Sequence, residues 1–179
     1  MTDDLALDAI AEPPASRVRI HAKRLREVLH YNPETGAFTW IEPPWNHPRM
    51  RGIPAGCSAT GYIMIKVDGR AYKAHRLAWL YVHGVWPSRD LDHRDGDPLN
   101  NAIDNLRECT MAQNIANARI REGKLLPKGV RRNASGRFSA RISHRGRLIT
   151  IGSFATPEAA SAAYLTHARA LYGDFARAG

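Results

Sequence analysis

The sequence predicts an α+β protein built from two unlike parts. Three observations carry this. Apolar residues recur at helical spacing in some stretches and alternate in others. Gly, Pro and Asn clusters cut the chain into short elements. The net charge of +9 is also unevenly placed: residues 119–179 hold 12 Lys and Arg against 3 Asp and Glu, whereas residues 1–118 hold 14 of each. Such asymmetry points to a polyanion-binding module attached to a neutral body.

The elements follow in order. "MTDDLALDAIAEPPAS" is acidic and lacks a basic region ahead of its apolar residues, so residues 1–18 are expected to be a flexible leader and not a secretory signal. In "RIHAKRLREVLHY", residues Ile20, Leu25, Val28 and Leu29 predict a short amphipathic helix over Arg19 to Tyr31. "NPETG" is turn chemistry and "AFTW" a strand; Arg49 to Thr60 reads as irregular. "YIMIKV", "DGR" and "AYKA" predict a hairpin turning at Asp68-Gly69. "HRLAWLYVHG" predicts a helix ended by Gly84, with Trp40, Trp79 and Trp86 in the core. "SRDLDH" and "NLRECT" are two short strands around an Asn-rich loop, and "MAQNIANAR" is a helix that Thr110 can cap.

Residues 119–127 form a basic linker. Three short strands follow, "GVRR", "RFSARISH" and "RLITIGSF". Then "TPEAASAAYLTHARALYG" predicts a helix with Thr156 as cap, Pro157 in its first turn and Gly173 at its end. Its alanines leave a small-residue face able to lie close to a sheet. No apolar run approaches a membrane span. Cys57 and Cys109 are too few for a disulfide framework or a four-cysteine zinc site. A reducing, cytoplasmic compartment is expected.

The chemistry concentrates in "LDHRDGDPLNNAIDNLRECTMAQN", Leu91 to Asn114, which holds four Asp, four Asn and one His. Phosphodiester hydrolysis needs a group that deprotonates water near neutral pH, which suits His. It also needs neutralisation of charge at phosphorus and on the leaving oxygen, which suits a hard divalent cation. Mg2+ keeps several waters, so one carboxylate and one amide oxygen can hold it. Asp92 and His93 would end a strand, Asn114 would come from the following helix, and Asn105 would lock the loop between them. An EF-hand lacks its alternate acids here, and zinc lacks clustered Cys and His.

The stretch resembles the HNH endonuclease motif of phage and intron-homing nucleases. "AHRLAWLYVHGVWP" and "YNPETGAFTW" are similar to that family's flanks, so the resemblance spans roughly residues 24–118 of an expected domain at 19–118. It implies a ββα-metal fold (the His-Me finger) in a bacterial or phage-infected cell. It implies His93 as general base, with Asp92 and Asn114 holding one divalent ion, Mg2+ or Mn2+. Asn105 would fix the loop and help orient His93, and His75 would be a supporting residue. Arg76 and Arg107 could contact DNA, with plain exposed arginines as the default reading. Cys109 reads as a small core residue.

Residues 128–176 resemble the apetala-two/ethylene-response-factor DNA-binding domain. "GVR", "GRFSARI", "IGSF", "TPEAASAAY" and "YG" carry this likeness, with Phe138 where that family usually has Trp. It implies a three-stranded antiparallel sheet in the major groove with one helix behind. Arg137, Ser139 and Arg141 alternate onto one face, and Phe138, Ala140 and Ile142 onto the other. Arg131, Arg132, Arg145 and Arg147 complete the expected DNA-binding set. The resulting expectation is a metal-dependent endonuclease that nicks one strand of double-stranded DNA per active site. The rival class is a DNA-binding regulatory protein with a non-cutting HNH fold.

Overall fold

The computed structural model describes residues 19–44, 47–118, 123 and 125–177. The expected leader lies outside these residues, as does most of the expected linker. Helix α1, Ala22–Val28, buries Ala22, Leu25 and Val28, and His21 Nδ1 accepts from Arg24 N–H at its start. The helix is shorter than its pattern predicts. Leu29–Tyr31 leaves it as strand β1 and pairs antiparallel with β2, Phe38–Trp40. The turn between them explains the change. Asn32 Oδ1 accepts from the N–H groups of Glu34 and Thr35, and Gly36 takes φ 72°. The turn folds the chain back, and strand pairing then buries Leu29 and Tyr31 on one side and exposes His30.

A second sheet has the order β3-β4-β5, made from Cys57–Ala59, Tyr62–Val67 and Arg70–Lys73. Strand β3 falls where the sequence reads as irregular. It is only three residues long, and its edge pairing with β4 supplies what its own pattern lacks. The β4–β5 turn places Asp68 and Gly69 at φ 47° and 78°, the twist a two-residue hairpin needs. Helix α2, Ala74–His83, follows at once and ends on the left-handed Gly84. Its Leu77 and Leu80 pack with Leu25, Leu29 and Ile65 in the main core, where Trp40 is buried and Trp79 and Trp86 lie at the margin.

Strands β6, Asp90–His93, and β7, Leu106–Cys109, form an antiparallel pair that feeds helix α3, Met111–Asn117. Thr110 and Gln113 close α3 with a reciprocal capping box, which stabilises a helix otherwise too short to persist.

In the basic third, β8 (Val130–Arg132), β9 (Phe138–His144) and β10 (Arg147–Phe154) form an antiparallel sheet in the order β10-β9-β8. Helix α4, Pro157–Tyr172, starts from the Thr156 cap and lies across it. Val130, Ala140 and Ile142 meet Ala160, Tyr164 and Ala168 in a separate core. Alanines on either side of Tyr164 let helix and sheet approach closely. Gly129 is required there: a Cβ would lie 2.2 Å from the Tyr164 ring, and φ is 74°. Among the described residues no helix is long and apolar enough to cross a membrane.

Candidate active site

The β6–loop–β7–α3 segment brings Asp92 and His93 to the end of a strand, both buried. Successive residues of a strand project to opposite sides. Asp92 accordingly meets β7 and α3, and His93 meets α2 and β4. Asp92 Oδ2 accepts from Arg107 Nε at 2.9 Å, and Arg107 Nη2 lies 2.9 Å from the same oxygen as an ion-pair contact without hydrogen-bond alignment. Asp92 Oδ1 accepts from Asn117 Nδ2 at 3.0 Å, and the same amide donates to the His93 carbonyl at 2.7 Å. Arg107 is therefore not the exposed residue its type suggests. It stands directly across the strand pair from Asp92, and its Cζ lies 3.6 Å from the centroid of the Phe175 ring. Its Nη1 donates to the Asp174 carbonyl.

The loop between the strands is tied by its own short side chains. Asn105 Oδ1 accepts from Asp95 N–H, while its Nδ2 donates to Asp95 Oδ1 and to the Asn100 carbonyl. Asp95 Oδ1 also accepts from Asp97 N–H, and Asp95 Oδ2 accepts from Asn100 Nδ2 at 2.7 Å. Burial opposes the charge on Asp95, but the bonds from Asp97, Asn100 and Asn105 outweigh it and hold the carboxyl below its usual range. Asn105 sits in the loop network and makes no bond to the His93 ring. The ring instead meets Asn101, whose Oδ1 is 3.2 Å from Nε2.

Asn114 lies half-buried on α3, with no side-chain hydrogen bond among the described residues. The α3 side chain on Asp92 is Asn117, one turn later. Residues three apart share a helix face, so the pattern "QNIAN" already held this signal. Asn101 left no comparable signal, because it is one of several amides in an irregular loop.

His75 opens α2 and is buried. Its ring stands edge-on to His93 at 5.1 Å between centroids, with Tyr62 at 5.4 Å. Burial, then the nearby His93, Lys73 and Arg76 charges, push its pKa down to about 3. His75 is thus neutral at physiological pH. Cys109 is buried beside β6, and burial pushes its thiol up to about 11, which leaves it inert.

The C-terminal part reaches this site. Lys128 Nζ donates to the Ala116 and Ala118 carbonyls at the end of α3. Burial first, then Arg177, lowers its pKa to about 8. Arg177 N–H donates to Ala116 O, and its guanidinium donates to the Asp95 carbonyl. Of the six arginines expected to bind DNA, Arg131 pairs opposite Ser139, and Arg141 lies two residues along, on the face away from α4. Arg137 enters the same strand and donates to Ser153 O. Arg132 has the other parity, opposite Phe138. Arg145 sits in the β9–β10 turn at φ 50°, and Arg147 starts β10 opposite His144. All but the half-buried Arg141 are exposed.

Residues 72–116 match the model of a family described as HNH endonuclease. The chain is also similar to an uncharacterized HNH endonuclease of Acanthamoeba polyphaga mimivirus, at 35% identity over 114 residues. That likeness covers 63% of this chain and 59% of the viral protein, so the chain spans about three fifths of that relative's length. No solved structure matches. The two likenesses place an HNH endonuclease-like region in the chain. Neither names an apetala-two-like domain, and the family match ends at residue 116.

Proposed function

We propose that this chain is a metal-dependent DNA endonuclease whose reacting centre is His93 beside Asp92, with the basic C-terminal sheet holding double-stranded DNA. The juxtaposition of Asp92, His93 and α3 carries this reading. Among the described residues no three His, Cys, Asp or Glu converge as a metal site. A cation would then rest on few protein donors. Asp92 Oδ1 keeps an acceptor position beyond the one Asn117 uses, and the Asn114 amide has no partner among the described residues. A carboxylate and an amide oxygen are hard donors and fit Mg2+ or Mn2+ with most of its waters retained. When bound, the ion supplies charge neutralisation at phosphorus and at the leaving oxygen.

The chain's own groups do the rest. His93 takes a proton from water, which forms a bond to phosphorus as the bond to the 3′ oxygen breaks. Asn117 and Arg107 orient the Asp92 carboxylate. Asn105 and Asp95 keep the loop closed. One such centre nicks one strand; a double-strand cut needs two. On the C-terminal sheet, Arg141 Nε is buried with no hydrogen-bond partner among the described residues, and the exposed Arg131, Arg145 and Arg147 are the donors open to a phosphate or a base edge.

The reading as a DNA-binding regulatory protein that does not cut draws on one observation, the Arg107 guanidinium on Asp92. Cleavage of supercoiled plasmid separates the two. The endonuclease reading expects nicked product with Mg2+ or Mn2+, none with EDTA and none with His93→Ala. A wild-type chain that shifts DNA in a gel but leaves it intact with either metal establishes the regulator instead.

A further inference from the structure

We infer that Lys128 and residues 174–177 strap the C-terminal sheet and helix to the reacting centre, so that the phosphate cut is the one at a fixed distance from the stretch of DNA the sheet holds. The strap itself follows from contacts between the two parts. Its consequence for cleavage rests on the proposed nuclease with a DNA-holding sheet.

Two parts of a chain joined by one linker swing relative to each other by default. Here the C-terminal part is tied at both its ends. At its start, Lys128 Nζ donates to the Ala116 carbonyl at 2.6 Å and to the Ala118 carbonyl at 2.9 Å. A helix leaves its last carbonyls without partners of its own, and a cation suits them. The next residue, Gly129, lies against the Tyr164 ring, and its carbonyl accepts from Arg141 N–H at 2.8 Å. Adjacent residues thus grip the end of α3 and the C-terminal core, with no slack between them.

At the far end the arrangement repeats. Ala176 packs on the C-terminal core, and its two neighbours reach the N-terminal part. The half-buried Phe175 ring lies against the Arg107 guanidinium. Arg177 donates through its backbone N–H to the Ala116 carbonyl at 3.2 Å and through its guanidinium to the Asp95 carbonyl. Arg107 Nη1 donates to the Asp174 carbonyl at 3.3 Å, and Arg107 in turn holds Asp92. The strap therefore ends on the reacting centre and not on a remote surface. Both ends meet at Ala116 O, and the Asp95 and Arg107 contacts fall outside that point. No single pivot is left about which the sheet could turn.

Pulsed EPR between two nitroxides on the full chain reads the tie directly. Cys57 is exposed on β3 and takes one label, whereas Cys109 is buried; Ala162→Cys offers the other on the exposed side of α4. A single narrow distance distribution is expected, and a broad one in this otherwise unaltered chain overturns the inference. Changing Lys128, Phe175 and Arg177 together to Ala leaves residues 119–127 as the main tie. A flexible linker of nine residues has an r.m.s. span of about 15–18 Å, so the distribution should widen toward that scale. A distribution that stays narrow while the thermal midpoint falls would make these contacts packing only and overturn the strap. Nicks made with Mg2+ or Mn2+ are then mapped to the nucleotide against the stretch of plasmid that His93→Ala protects in EDTA. The wild type should nick at one constant offset from that stretch, and the triple variant at several. Wild-type nicks at no constant offset would overturn the consequence for cleavage. If the wild type cuts with neither metal, the nuclease reading fails by itself, and the distance distributions decide the strap separately.

Discussion

The loop from Arg94 to Asn105 and the outer face of the C-terminal sheet are both rich in polar side chains, but they use them in opposite ways. In the loop, Asp95, Asn100, Asn101 and Asn105 bond to one another, to backbone groups and to His93. On the sheet, the side chains of Arg131, Arg145 and Arg147 make no hydrogen bond or ion pair among the described residues, and Arg141 buries an unpartnered Nε. Buried polar groups are costly unless paired, so the loop's amides are architecture that holds one ring in place. The exposed Arg131, Arg145 and Arg147 face water and remain available to a polyanion. Polar density alone therefore says little about which residues touch a substrate; the partners decide.

The sharpest way to break this contrast is to damage each side separately. His93→Ala should cut the cleavage rate by about 10²- to 10⁴-fold, the usual worth of a general base. Affinity for DNA should stay the same, as measured by gel shift in EDTA. Should His93→Ala instead weaken binding and leave cleavage intact, the division between cutting and holding would be wrong.

Arg107 links the β6–β7 pair to the segment after α4 and should show the next largest effect. It pairs with the buried Asp92 and stacks on Phe175. Removing one partner of a buried pair strands the other charge, so Arg107→Ala should cost about 3 kcal/mol in chemical denaturation. Mg2+ should recover part of this loss, because a cation that binds only the native state stabilises it. A loss that Mg2+ does not touch would place the cation elsewhere than on Asp92.

A smaller, graded effect belongs to the sheet. Arg131, Arg137 and Arg141 each release a condensed counterion if they contact phosphate. Changing all three to Ala should weaken binding to any sequence and flatten the slope of log affinity against log salt by up to about three. The rate with DNA in saturating amounts should change little. An unaltered salt slope would mean that DNA lies on some other surface.

How much of this was legible beforehand depended on periodicity and spacing. The hairpin at Asp68-Gly69, the Gly84 stop, the Thr110 cap and the alternating faces of β9 all followed from short-range rules. Leu29–Tyr31 did not, because its strand identity comes from pairing with residues beyond the turn. That Asp92 and His93 end a strand side by side was legible from residue types. Arg107 was not, since an arginine two residues past Asn105 shows its buried role only once the β6–β7 register sets it opposite Asp92. The choice among amides was hardest. Asn101, Asn105, Asn114 and Asn117 are alike in type, and only the folded loop and helix distribute them among ring, loop, solvent edge and carboxylate.

His75 offers the cleanest sign. It lies beside His93 yet is buried and neutral, with a folded pKa near 3 against an ordinary value of 6.5. Between these two values the unfolded chain binds a proton that the folded chain refuses. Stability from this residue is thus fully present above about pH 6.5 and is lost as pH falls toward 3. His75→Gln removes the titrating group while keeping a polar side chain. Its thermal midpoint should fall less steeply than the wild type's over that window, so the difference between the two proteins narrows as pH drops. Midpoints that run parallel across the window would mean that His75 takes up its proton in the folded protein near the ordinary value. It would then stand with the water-facing cations of the sheet and not with the packed amides of the loop.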